Sequence, residues 1–184
     1  QNCSIVHRRG IMSYWYEKYA VIRVGNQFAE AGFDVRISVP GKVDELRSSH
    51  LGGLVVPSIA PEDFCNPQKR YTIYYDSPGT IDLVARSKDE LWIMQAKGIS
   101  TRSNAPGMIA QAIGQIVMLM VEPESSIKYG LIFPDEANFL RALRHIDKNN
   151  PVLTRPDWYL FLVSQQGDIK HCAFRDFLSS QETS

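Results

Sequence analysis

Apolar residues recur along the chain with two periods, and each period predicts a kind of element. From Ser13 to Ala31, residues Tyr16, Tyr19, Ala20, Ile22, Val24 and Phe28 return near helical spacing and Gly32 follows as a stop, which predicts a helix. Phe33, Val35, Ile37 and Val39 then alternate with Asp34, Arg36 and Ser38, the period of a half-buried strand closed by Pro40 and Gly41. Residues 40–70 are rich in Pro, Gly, Ser and charge, with only Leu51 to Ile59 apolar enough to pack. They read as an insertion: either an arm reaching around a substrate or a disordered segment. Tyr71 to Tyr75 reads as a strand or strand extension. Thr80 to Arg86 and Leu91 to Lys97 form a hairpin turned at Ser87 to Glu90. Gly107 to Met120 is apolar almost all round, the pattern of a buried helix. A strand at 127–133, a helix at about 135–147 and a hairpin of 158–164 with 169–174 complete the chain. The order predicts an α/β fold in one domain spanning 1–184, a mixed central β-sheet flanked by helices with a C-terminal helix and hairpin.

Composition narrows the setting. The chain has 184 residues and 44% hydrophobic content, enough to bury a core. Lys+Arg and Asp+Glu both number 20 and no run of about 18 apolar residues stands ready to span a membrane, so the expectation is a soluble protein without a membrane partner. No basic start leads into a short apolar run, so nothing resembles a secretory signal. Cys3, Cys65 and Cys172 fit neither a disulfide framework nor a zinc half-site, which points to a reducing, cytoplasmic compartment. With zero net charge, contacts to nucleic acid must come from local groups such as Arg8, Arg9, Lys69, Arg70, Lys97 and Arg102.

Chemistry concentrates in the hairpin. Side chains alternate along a strand, so Gln95 and Lys97 share a face, and hairpin pairing brings Asp82 near them. Phosphodiester hydrolysis needs an oxygen-liganded cation and a group that orients or deprotonates the attacking water. The Asp82 carboxylate, the Gln95 amide oxygen and the Ala96 carbonyl are hard ligands suited to Mg²⁺. Lys97 can hold the nucleophile or stabilise the transition state.

With Pro78, Asp82, Gln95 and Lys97 in this order, the segment resembles the signature of PD-(D/E)XK nucleases in the QxK form of the Mrr-like restriction-endonuclease branch. The resemblance covers roughly 13–133, and it implies an αβββαβ core and a magnesium-dependent endonuclease acting on double-stranded DNA, with Mn²⁺ able to substitute. It makes Asp82 the metal-binding aspartate, Gln95 the second ligand and Lys97 the catalytic lysine. It also implies a metal-directed glutamate on the first helix, for which Glu17, set among Tyr14, Trp15, Tyr16 and Tyr19, is preferred to Glu30 at the helix end beside Gly32, and a polar group from the following helix. Gln111 and Gln115, four apart on one face of 107–120, are the residues for that role, Gln115 foremost. The alternative for this pair is a polar seam at a subunit interface. Two departures stand out: Pro78 lies four residues ahead of Asp82, and Gln95 replaces an acid. The second leaves open both weaker metal affinity and a catalytically silent nuclease-fold module that binds nucleic acid or a protein partner.

His7, His50, His145 and His171 are scattered without ligand spacing, and neither a GxxxxGK[ST] loop nor a GxSxG elbow is present, so zinc, ATPase and serine-hydrolase readings lose their main supports. The terminal hairpin raises a further alternative, a homodimer or a partner subunit that completes the site.

Overall fold

In a computed structural model, which describes residues 9–38, 73–76, 81–98, 104–120 and 126–180, the first helix ends where the sequence places its stop. Helix α1 (Arg9–Glu30) runs into Gly32 at φ 97°, a backbone region that favours glycine. The Gly32 N–H donates to the Ala29 carbonyl at 3.1 Å and the Phe33 N–H to the Phe28 carbonyl at 3.0 Å. The rings of Phe28 and Phe33 meet edge to face at 5.1 Å and fasten this cap with an apolar contact. Gly25 lets the helix lie close on the sheet, since a Cβ there would stand 2.7 Å from the Ile37 side chain.

Among the described residues seven strands follow: β1 (Asp34–Ser38), β2 (Ile73–Asp76), β3 (Leu83–Arg86), β4 (Leu91–Ala96), β5 (Ile127–Pro134), β6 (Trp158–Val163) and β7 (Ile169–Ala173). They form one mixed sheet in the order β2-β1-β3-β4-β5-β6-β7. β1, β3 and β4 pair antiparallel; β4, β5 and β6 run parallel; β7 returns antiparallel to β6, and β2 lies parallel to β1. Helices α2 (Ala105–Val117), α3 (Ala137–Leu143) and α4 (Phe174–Ser179) complete the order.

Alternation along the strands divides the interior into two cores. Val35, Ile37, Leu83, Ala85, Met94, Ala96 and Ile132 pack with Val21, Val24 and Phe28 of α1 on one face. Tyr129, Leu131, Phe133, Leu160 and Leu162 pack with Ile109 and Ile116 of α2, Phe139 of α3 and Phe174 of α4 on the other. The α/β architecture expected from the sequence is therefore the one observed.

Of the two alternatives for 71–75, a strand or a strand extension, the structure shows a strand, β2, at the edge beyond β1. The details correct the reading in three places. Helix α3 stops at Leu143, short of 147, and the turn over 145–150 takes over with the Asn149 N–H bonded to the Asp147 carboxylate. Helix α2 buries only Ala105, Ile109, Ala112 and Ile116; Met118 beyond it is 87% exposed, and Gly107 and Gly114 carry no side chain to bury. A short helix, α4, follows the terminal hairpin. The insertion or arm expected at 40–70 lies outside the described residues. Among the described residues, no helix is long and apolar enough to cross a membrane.

Candidate active site

Because β1, β4, β5 and β6 point the same way, their carboxyl ends form a rim, the edge at which open α/β sheets commonly bind ligands. Asp82, just before β3, and Lys97, just after β4, both fall on it. Leu83 pairs with Met94, so one step further puts Asp82 opposite Gln95. Met94 and Ala96 face α1, and alternation turns Gln95 to the other side, where it is 3% exposed, the buried polar side chain of the described residues.

The Asp82 carboxylate is held by two donors on one oxygen. The Ala96 N–H reaches Oδ2 at 2.8 Å, and the Gln95 Nε2 donates to the same atom. Within a strand the N–H and C=O of one residue point to the same side, so the Ala96 carbonyl also lies toward Asp82. Glu17 arrives from α1, and its Oε2 accepts the Gly98 N–H at 3.0 Å. The site thus straddles the end of β4.

Charge is unbalanced here. Burial pushes the Asp82 carboxyl up to about 6; the Ala96 N–H opposes this, the nearby Glu17 adds to it, and Lys97 opposes it. Burial likewise raises the Glu17 pKa against the pull of Lys97 and the Gly98 N–H. Among the described residues, two carboxylates therefore face one ammonium, and the environment disfavours their full ionisation. A cation would relieve this, and the donors present are oxygens of the kind Mg²⁺ prefers. The two carboxylates are joined by no third acid, Cys or His: no such cluster of three or more occurs among the described residues.

The residues expected from the sequence distribute as follows. Asp82, Gln95, Ala96, Lys97 and Glu17 come together. Glu30 sits exposed at the far end of α1, roughly 20 Å along the helix from Glu17. Gln115 is half-buried on α2, which packs on β4 and β5; its Oε1 is buried without a hydrogen-bond partner, and no hydrogen bond links it to Asp82, Gln95 or Lys97 among the described residues. Gln111 is exposed. The expected role of Gln95 changes in one respect: its amide nitrogen, not its oxygen, is turned to Asp82. Gly98, whose N–H anchors Glu17, was not singled out by sequence reasoning; its place one residue beyond Lys97 was the available signal. Of the basic groups expected to meet nucleic acid, Arg8, Lys69, Arg70, Arg102 and the Arg9 side chain lie outside the described residues.

No family model, curated protein or solved structure matches the chain.

Proposed function

We propose that the chain is a metal-dependent endonuclease of the PD-(D/E)XK type that hydrolyses phosphodiester bonds in double-stranded DNA. The observation that carries this reading is the convergence of Glu17, Asp82, Gln95 and Lys97 at one point of the rim, with two carboxylates facing a single ammonium among the described residues. The run β1, β3, β4, α2, β5 supports it, because it follows the helix-led core order that the resemblance implies.

Asp82, Glu17 and the Ala96 carbonyl would hold Mg²⁺ or Mn²⁺, and Gln95 would serve as a neutral fourth donor only with its amide turned over from the orientation that bonds Nε2 to Asp82. Bound there, the ion would neutralise charge on the phosphate and lower the pKa of coordinated water. The chain's own residues have distinct tasks. Gln95 and the Ala96 N–H fix Oδ2 of Asp82 so that its other oxygen is free to face the site. The Gly98 N–H fixes Glu17 in the same way. Lys97 offers a positive charge to the phosphate oxygens and to the attacking water. In the overall step the water oxygen bonds to phosphorus as the ester P–O bond breaks; one proton leaves the water and one reaches the departing oxygen.

A second reading rests on Gln95. Its neutral amide meets Asp82 by a hydrogen bond that needs no metal, which suits a silent module that keeps the fold for binding. Supercoiled plasmid incubated with Mg²⁺, with Mn²⁺ and with chelator separates the two. The enzyme reading expects nicked or linear product with metal, and Lys97→Ala to lose it; intact plasmid under all conditions would leave the binding module.

A further inference from the structure

Among the described residues β7 forms one edge of the sheet, with no strand beyond it. Which of its backbone groups face outward follows from two bonds made by the chain before it. The Val163 carbonyl accepts from the Asp135 N–H on the β5 side, and the Ser164 N–H donates to the Asp168 carbonyl on the β7 side. Alternation therefore turns the backbone groups of Lys170 and Cys172 toward β6. It leaves the N–H and C=O of Ile169 and His171, and the N–H of Ala173, pointing away from the sheet. Single chains usually blunt such an edge with a proline, a bulge or an outward charge. β7 contains no proline, its pairing with β6 is unbroken from Ile169 to Ala173, and its Lys170 is drawn back to Asp135 of its own sheet at 2.7 Å.

This edge is complementary to itself. Opposite residues of an antiparallel pair share a face, so a two-fold axis through His171 sets Ile169 against Ala173 of the second copy and Lys170 against Cys172. His171 then exchanges both outward backbone bonds with its equivalent, and the Ala173 N–H donates to the Ile169 carbonyl at either end. One step beyond, the exposed Asp168 falls opposite Phe174, beside the exposed Arg175 of the second copy, so that opposite charges meet at both ends. An axis through Cys172 would instead set Asp168 against Asp176, like against like, and Ile169 against the first turn of α4. An unrelated strand would take the backbone bonds and leave those charges unmatched.

We propose that the chain forms a symmetric dimer by pairing β7 with β7 of a second copy, antiparallel about His171, so that the two sheets continue as one. Antiparallel pairing turns the second rim to the opposite end of the joint sheet. Each copy keeps its own candidate site, and the inference stands apart from the nuclease reading.

Sedimentation velocity of the intact, reduced protein is expected to show a monomer–dimer equilibrium in the micromolar range, as for interfaces at the small end of known sizes. His171→Pro removes an N–H that the single copy turns away from its sheet, a position where an edge strand accepts proline. It is expected to abolish the dimer while the melting temperature stays near that of the unmodified chain. Arg175→Glu, which sets like charges at both ends, is expected to weaken the dimer about three- to tenfold. Lys170→Cys, in a background carrying Cys3→Ser and Cys65→Ser, faces the native Cys172 of the second copy at a Cα separation of about 4.5 Å. On oxidation it is expected to give a disulfide-linked dimer that the background alone does not. The proposal is overturned if the protein is monomeric up to about 1 mM, which would leave the edge to a strand of another protein. It is also overturned if His171→Pro, or Arg175→Glu should the first variant fail to fold, dimerises as the unmodified protein does, or if Lys170→Cys gives no disulfide-linked dimer.

Discussion

Glu90 and Asp82 flank the same hairpin, one at the amino end of β4 and one beside its carboxyl end, yet their surroundings drive them in opposite directions. Glu90 is paired with Lys128 and bonded to Trp92, and these contacts lower its pKa. Asp82 is buried with a second acid nearby, and its carboxyl is raised to about 6 although two donors meet it. The first carboxylate is satisfied by the protein; the second is arranged at a cost and, among the described residues, left short of positive charge. That difference separates a structural charge from a functional one, because perturbed acids gather where a ligand is meant to complete them.

The largest expected effect breaks the comparison by activity. Lys97→Ala or Asp82→Ala should lower plasmid cleavage on the order of 10²- to 10⁴-fold, whereas Glu90→Gln should leave it near the unmodified rate. Equal loss in all three variants would mean that Asp82 has no special standing.

The next is a stability effect of opposite sign at the two acids. An acid whose pKa rises on folding binds its proton more tightly in the folded chain. Its contribution to stability is then largest below its ordinary value of 3.8 and declines as pH climbs to about 6. Asp82→Asn should therefore raise the unfolding free energy at pH 7.5, by at most about 3 kcal/mol, and should flatten the fall in metal-free stability between pH 4 and pH 6. Thermal melts of both proteins across that range check the difference directly.

Gln95 sharpens the same contrast. Gln95→Glu removes the donor to Asp82 Oδ2 and sets a third acid into the site, so the metal-free protein should lose on the order of 1–3 kcal/mol. Mn²⁺ should restore more stability to this variant than to the unmodified chain, and cleavage should persist in part. Gln95→Ala should lose cleavage with no such rescue. Smallest of all, Glu90→Gln should cost under about 1 kcal/mol, since its ion pair with Lys128 remains partly exposed to solvent; a denaturant melt should barely move.

How much of this was legible in the sequence depended on the range of the interaction involved. The end of α1 was readable because Gly32 and Phe33 act on residues within one turn, and the hairpin was readable because Asp82 and Gln95 are brought together by their own short turn. Alternation alone put Gln95 and Lys97 on one face. The position of β2 was not readable, because a parallel pair leaves no local turn signal and the link between β1 and β2 is long. The exposed side of α2 was misread because apolar composition does not say which residues meet the sheet; Ile109 and Ile116 do, and Met118 does not. The direction of the Gln95 amide depends on Asp82 accepting from both its side chain and the next N–H, a detail of register no pattern encodes. Glu17 was chosen over Glu30 because Glu30 lies at the helix end beside Gly32 while Glu17 sits among aromatic residues, and its anchoring on Gly98 became visible only once α1 lay across the sheet.

The account turns on whether Asp82 is short of a cation, and Mn²⁺ binding measured by electron paramagnetic resonance at neutral pH asks this without requiring cleavage. The unmodified protein and Glu90→Gln should each remove free Mn²⁺ from solution at one site, and Asp82→Asn should not. Equal uptake by Asp82→Asn, or no uptake by the unmodified protein, would contradict it.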